Sequence, residues 1–216
     1  MSVDVRVVDD PARAVAALLA ESSGDVALSG GGTVGRAYEA AAARRQDWSG
    51  VRAWFGDERA VPPDHEHSNM RLVRASLLSR VAVAPELHRI EGELGADEAA
   101  RRYEIATAGL VLDLALNGIG ADGHTASLFP NAPSLEERRR RVVAAEAGLE
   151  PFVPRVTMTP PVFEAARLLV YLATGAEKAD AVRRALAEPP SRETPASLIR
   201  GRETVALLDR EAAALL

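Results

Sequence analysis

Residues 111–130 read VLDLALNGIGADGHTASLFP, and this stretch decides how the chain is read. Its first six residues, Val111-Leu112-Asp113-Leu114-Ala115-Leu116, form an apolar run of strand length, and glycines follow at 118, 120 and 123. A buried strand that ends in glycines and then presents Asp122 and His124 has the make-up of an active-site loop. Glycine lets backbone approach a ligand closely, and imidazole moves protons near neutral pH.

On both sides of this stretch, short apolar runs alternate with longer segments of helical period. Upstream, strands are expected at Val3–Val8, Asp25–Leu28 and Val51–Phe55, and helices at Pro11–Ala20 and Gly32–Arg45. Ser68 suits the N-cap of a helix in NMRLVRASLLSR, and Asp97 and Glu98 open a helix expected over Ala96–Ala108, where the dipole favours acids. Downstream of the strand Val111–Leu116, further strands are expected at Arg141–Ala145, Arg155–Thr159, Leu168–Ala173 and Thr204–Leu208. Helices are expected at Ala176–Ala187, Pro195–Arg200 and Glu211–Leu216. The alternation predicts an α/β fold with a mostly parallel central sheet and helices on both faces. Ligands of such folds bind beyond the carboxyl ends of the strands.

Composition narrows the function classes. With 216 residues, 47% of them hydrophobic, and no low-complexity segment, the chain can bury one substantial core and is expected to form a single domain over 1–216. It has no cysteine, which excludes disulfides, thiolate metal sites and a cysteine nucleophile, and fits a reducing compartment. The opening MSVDVRVVDD lacks a basic flank and apolar core, and no apolar run approaches the roughly 20 residues of a membrane span, so a soluble cytoplasmic protein is expected. The net charge of -5 argues against nucleic acid as the main partner and leaves room for a local basic pocket for an anionic small molecule. Of the 26 basic side chains, Lys178 is the one lysine.

Four stretches fall at or near expected strand ends. Ser29-Gly30-Gly31-Gly32-Thr33 is a glycine-rich turn opening a helix, which offers N–H groups and the positive dipole end to an anion such as phosphate. It is not a Walker A loop, because Thr33 stands where the lysine would be; a tight turn with no ligand is the alternative. Gly56-Asp57-Glu58-Arg59 could hold a sugar hydroxyl, orient a base or stabilise an oxyanion, and could equally be a solvated loop with an ion pair. His65-Glu66-His67 nearby lacks an evident further ligand and a rigid element, so no metal is assigned to it. Gly118-x-Gly120-x-x-Gly123 matches the dinucleotide spacing. It lies mid-chain, however, Asp122 would face the pyrophosphate, and no acid clearly ends a strand about 20 residues on, so no nucleotide cofactor is expected. His124, with an aspartate two residues earlier, reads better as a general base than as a structural histidine. Arg155 and Lys178 form the fourth group. A single lysine in a chain that otherwise uses arginine suggests a compact ammonium for a phosphate oxygen, although chance survival on a solvated face is the plain alternative.

Taken together, SGGGTVG, WFGDERAVPPDHEHSN, DLALNGIGADGHTASLFPN, RVTMTPPVFEAARLLVYLATGAEKADAV and PASLIR resemble the 6-phosphogluconolactonase family, in the family's order over residues 29 to 200. The resemblance implies a Rossmann-like three-layer αβα fold and metal-free hydrolysis of 6-phospho-D-glucono-1,5-lactone to 6-phosphogluconate in the oxidative pentose phosphate pathway. It implies no cofactor, and a phosphosugar lactone as the partner molecule, with no nucleic acid, membrane or obligate protein partner. It places His124 as the base, Asp57 and Arg59 near the lactone, and Ser29, Gly30, Gly31, Gly32, Thr33, Arg155 and Lys178 around the phosphate, with Asp122 or Asp57 orienting the imidazole. Four positions depart from the family. Gly32 and Val34 stand where serine and proline are usual, which removes one hydroxyl donor at Gly32; Asn117 stands where an apolar residue is usual, and Ala121 where proline is common. A more distant similarity to glucosamine-6-phosphate deaminase keeps an amino-sugar-phosphate isomerase or deaminase open, although TASLFP after His124 contains no acid to act as its base. A non-catalytic sugar-phosphate sensor is the third reading.

Overall fold

The computed structural model describes residues 3–148 and 150–216. Its strands are β1 (Asp4–Val7), β2 (Gly24–Leu28), β3 (Val51–Phe55), β4 (Asp57–Arg59), β5 (Glu86–Leu87), β6 (Leu114–Gly118), β7 (Val142–Ala145), β8 (Arg155–Met158), β9 (Leu168–Ala173) and β10 (Glu203–Leu208). The α-helices are α1 (Pro11–Glu21), α2 (Gly32–Arg44), α3 (Asn69–Ser76), α4 (Ala96–Ala106), α5 (Pro160–Ala165), α6 (Ala179–Leu186) and α7 (Pro195–Leu198). Seven strands pair in parallel in the order β1-β10-β9-β6-β2-β3-β5, within a three-layer α/β arrangement. From β2 the chain moves outward through β3 to β5, and from β6 it moves the other way through β9 to β10. The β2/β6 junction is therefore the topological switch point, where a crevice opens beyond the carboxyl ends.

The strands run where apolar residues can be covered from both sides. β9, LLVYLA, is buried over nearly its whole length, as are the inner residues of β2, β3 and β6. α1 and α2 pack against each other and onto β9, burying Val15, Leu19, Ala37, Tyr38 and Ala41. Two buried phenols then tie strand ends. Tyr38 Oη accepts from the Ser29 N–H and donates to its carbonyl, both at 2.8 Å, while Tyr103 Oη accepts from the Phe55 N–H at 2.8 Å. Burial pushes both phenols above their ordinary values, so each stays a neutral donor and acceptor at the rim of the crevice.

Several expectations are corrected. The strand expected over Val111–Leu116 begins at Leu114, because Asp113 turns its carboxylate onto the Asp25 N–H at 2.9 Å, and it runs on to Gly118 beside Leu172. The strands expected at Arg141–Ala145 and Arg155–Thr159 do not join the parallel sheet. They form, with β4, a separate antiparallel sheet in the order β4-β8-β7. Asp57–Arg59 is thus strand and not loop, and the two-residue β5 was not expected. Glu211–Leu216 makes turns instead of a helix: Asp209 Oδ1 accepts from the Ala212 N–H at 2.7 Å, and so short a segment cannot repay helix nucleation.

Asn117 is fully buried on β6, in register with Tyr171, and neither of its amide atoms has a partner. A buried, unpaired amide opposes folding. Asn117→Leu should accordingly raise stability by about 1 kcal/mol, or roughly 2–4 °C in Tm for a chain of this size. A melting curve at unchanged or lower temperature would mean that the amide has a partner in solution.

Candidate active site

At the switch point, residues from five segments line one cleft of about 190 Å³. Ser29, Gly30 and Gly31 follow β2, Asp57 and Arg59 stand on β4 just after β3, Asn69 opens α3, Gly118 ends β6 with Ile119, Gly120, His124 and Ala126 beyond it, and Lys178 follows β9. An adjoining cleft of about 280 Å³ shares Gly30, Gly31 and Lys178 and adds Gly32, Thr33 and Thr174.

The Gly30–Thr33 turn forms the anion-suited end. Gly31 has φ +114°, open only to glycine at little cost, and a Cβ added at Gly30 would fall 2.0 Å from Asn69 Oδ1. Gly32 meets neither restriction, since its missing Cβ would point into open space. The first intrahelical bond of α2 runs from the Gly35 N–H to the Gly31 carbonyl, so the N–H groups before it face outward without an intrahelical partner. The Thr33 hydroxyl lies 2.9 Å from that of Thr174. Lys178 ends a short 3₁₀ turn, Ala176–Lys178, ahead of α6, and its Nζ donates to the Ile119 carbonyl at 2.6 Å. Burial pushes its ammonium below the ordinary value, against the opposing pull of Glu177 and Asp122.

His124 occupies the other end. Its Nδ1 lies 2.5 Å from Asp122 Oδ1, and the same oxygen accepts the His124 backbone N–H at 3.0 Å. Burial alone would raise the Asp122 carboxyl, but the hydrogen bonds and charge of His124 outweigh it and hold that carboxyl below the ordinary range. With Nδ1 committed to the carboxylate, Nε2 is the nitrogen left free for proton transfer. Packing over Gly120 makes this pair possible, because a Cβ there would fall 2.0 Å from His124 Nδ1 and 2.6 Å from Asp122 Oδ1. Phe129 flanks the imidazole with ring centroids 5.1 Å apart.

Alternation along β4 sends Asp57 and Arg59 one way and Glu58 the other. Asp57 accepts from Ser127 Oγ at 2.6 Å, and Asn69 donates to its carbonyl at 2.9 Å. Glu58 leaves the cleft and caps α3, accepting from Ser68 Oγ at 3.0 Å and from the Asn69 and Met70 N–H groups at 2.8 Å. Its burial raises the carboxyl above its ordinary value despite those donors. Arg59 Nη1 donates to the His67 carbonyl at 2.5 Å. Arg155 stands opposite Arg59 in the β4–β8 register but does not line the cleft. It is buried, donates to the Pro151 carbonyl at 2.9 Å, and leaves Nη1 unpaired. Burial and the neighbouring Arg59 both lower its pKa.

The glycine spacing at 118, 120 and 123 leads into bridged turns and opens no helix, unlike a dinucleotide fingerprint. Asn69, Ser127 and Thr174 belong to the site and were not among the expected residues. Asn69 follows a recognisable N-cap, whereas nothing local in the sequence links Ser127 or Thr174 to their partners.

A parallel α/β sheet with an anion-suited turn after one central strand and a carboxylate-held histidine after its neighbour defines a Rossmann-like α/β class of protein with its cleft at the switch point. Residues 5–207 match the model of the glucosamine-6-phosphate isomerases/6-phosphogluconolactonase family, and the chain belongs to that family. It is 36% identical over 219 residues to a 6-phosphogluconolactonase of Mycobacterium tuberculosis, covering 93% of this chain and 88% of that protein. Among solved structures it is similar to 6-phosphogluconolactonase from Trypanosoma cruzi, with a TM-score of 0.86 and 26% identity over 100% of this chain and 98% of that one. A monomeric glucosamine-6-phosphate deaminase, 21% identical with a TM-score of 0.86 over 100% of both chains, shares the fold.

Gly120→Ala should separate chemistry from stability. The added methyl must push the imidazole off Asp122, so lactone turnover should fall by about tenfold or more. The backbone there needs no positive φ, so the melting temperature should move by only a few degrees. Full activity at an unchanged Tm would show that the observed pair geometry is not required.

Proposed function

We propose that this chain hydrolyses 6-phospho-D-glucono-1,5-lactone to 6-phospho-D-gluconate, the lactonase step of the oxidative pentose phosphate pathway, with His124 as general base. The observation that carries this reading is the 2.5 Å contact between His124 Nδ1 and Asp122 in a cleft that also contains the Gly30–Gly31 turn and Lys178. The lactonase names of the mycobacterial and trypanosomal relatives support the substrate class.

In this mechanism the phosphate stands on the α2 N-terminus and Thr33, with Lys178 as its cation, and the lactone ring reaches toward His124. Anchoring the remote phosphate turns an encounter into a fixed pose. Neutral His124 Nε2 takes a proton from water as the water oxygen bonds to C1 and the carbonyl becomes an oxyanion beside Arg59. The C1–ring oxygen bond then breaks, and the imidazolium returns the proton to the departing oxygen, so one residue acts as base and then acid. Asp122 fixes the tautomer and supports the imidazolium. Asp57, held by Ser127 and Asn69, faces the sugar as a hydroxyl acceptor. Arg155 contributes only as charge behind Arg59, outside the cleft lining.

His124→Ala should lower kcat by roughly 10²- to 10⁴-fold, measured above the spontaneous hydrolysis of the lactone, while 6-phosphogluconate binding persists. Near-normal turnover in that variant would sink the assignment. Gly32→Ser tests the phosphate end in the opposite direction. The site has open space for the side chain, and the restored hydroxyl should lower KM about threefold to tenfold with little effect on kcat. An unchanged KM in a folded variant would count against a phosphate on this turn.

A further inference from the structure

The turn that follows His124 contains a hydrogen-bond donor that proton transfer leaves unused. Thr125 and Leu128 exchange both of their backbone hydrogen bonds, at 3.4 and 3.0 Å, so Ala126 and Ser127 form a two-residue hairpin turn. Ala126 takes φ +50°, in the left-handed region where a residue with a Cβ is uncommon. Backbone strain of this kind clusters at active sites, held by the structure around it. Here Ser127 fixes the far side of the turn: its Oγ donates to Asp57 at 2.6 Å, and its N–H meets Thr157 Oγ1 at 3.4 Å. Thr125, Ser127 and Leu128 are buried, whereas Ala126 is half-buried and lines the same cleft as Arg59, Gly120 and His124.

The direction of the Ala126 N–H follows from the peptide plane. The Thr125 carbonyl is turned inward onto the Leu128 N–H, and in a trans peptide the N–H of the next residue points the opposite way. The Ala126 N–H is therefore turned out of the hairpin, along the edge from which the His124 N–H reaches Asp122 and the His124 carbonyl accepts from Gly120. Gly120 lines the cleft on that edge. The N–H groups of Gly120, Gly123, His124, Thr125 and Ser127 all have acceptors. That of Ala126 has none among the described residues. A backbone N–H shut away from both water and acceptor is rare, so this one opens on the cleft that its residue lines.

We propose that the Ala126 backbone N–H donates a hydrogen bond to the C1 oxygen of the lactone as water adds, and shares the developing charge with Arg59. This role rests on the lactonase reading. Ala126 follows the base by two residues, so the two Cα atoms lie within about 7.6 Å of each other, two Cα–Cα steps, and one carbonyl can meet both. As the water oxygen bonds to C1, the π pair of the carbonyl moves onto its oxygen. It returns to C1 when the bond to the ring oxygen breaks, and no proton passes to or from the amide. A donor fixed by a closed turn stabilises that charge without reorganisation.

The test is an amide-to-ester exchange, Ala126→(S)-lactic acid, which removes the N–H and keeps the methyl. kcat for the lactone should fall roughly 10²-fold, the scale of one oxyanion donor, with KM little changed. A wild-type kcat in the folded ester would overturn the assignment. A second measurement needs no variant. In the ¹⁵N-labelled wild type, the Ala126 amide proton should move downfield on saturation with 6-phosphogluconate, whose C1 carboxylate puts a charged oxygen where the oxyanion forms. It should stay in place with glucitol 6-phosphate, which has a hydroxyl at C1. An unmoved resonance with 6-phosphogluconate bound, or equal shifts with both ligands, would overturn the donor. A wild-type chain without lactone turnover above the spontaneous rate would instead overturn the lactonase reading, so the two failures are told apart.

Discussion

The three-residue strand β4 is the constraint on which the cleft depends. Its alternation delivers Asp57 and Arg59 to the cleft and Glu58 to the start of α3, and its pairing with β8 fixes which residue goes where. A slip of one residue would put Glu58 in the cleft, strand Asp57 against α3, and uncap the helix, since strand register has a period of two. Glu58 stabilises that register from the far side. Three N–H groups and the Ser68 hydroxyl converge on it, and they satisfy a carboxylate that burial alone would disfavour. The same helix start presents Asn69, whose amide returns to the Asp57 carbonyl, so α3 and the cleft wall are set by one network.

The opposite wall is set by what is missing. Gly30 and Gly120 both carry a functional side chain where their own Cβ would be, Asn69 in one case and the His124–Asp122 pair in the other. The anion-suited turn and the His124–Asp122 pair are thus held close to the backbone of β2 and β6, the two strands that flank the switch point. Parallel topology brings these strand ends side by side although they are separated by some ninety residues in sequence.

Elements whose signal is local were legible in the chain. The Pro11 start of α1, the Ser68 cap, the buried run of β9 and the glycine-punctuated end of β6 all stand within about two residues of their expected places. Partnership was not legible, because it is settled by tertiary contact. Nothing in VRAWFGDER says that the chain leaves one sheet at Gly56 and enters another at Asp57, or that RVTM lies antiparallel to it. At the site, the His124–Asp122 spacing of two was readable because a side chain can reach back over one turn. The placement of Arg155 behind Arg59 was not, since only the β4–β8 register brings the two together. The Glu211–Leu216 segment failed for the reverse reason: its composition suits a helix, but it has too few residues to sustain one.

The distribution of unsatisfied groups around the cleft follows from these placements. Arg59 Nε, Arg155 Nη1, both amide atoms of Asn117 and the hydroxyl of Thr125 are all buried without partners, and all belong to residues on or beside the segments that form the cleft. A buried polar group without a partner opposes folding, and two neighbouring guanidinium groups repel each other. Such costs persist where the surrounding structure over-determines the arrangement, which here is the β4–β8 ladder on one side and the buried β6–β9 pairing on the other. The paired cations gain most from negative charge arriving between them and the cleft. In the proposed mechanism, Arg59 backed by Arg155 would place positive charge beside the developing oxyanion before the reaction begins, so that little reorganisation is needed when charge appears.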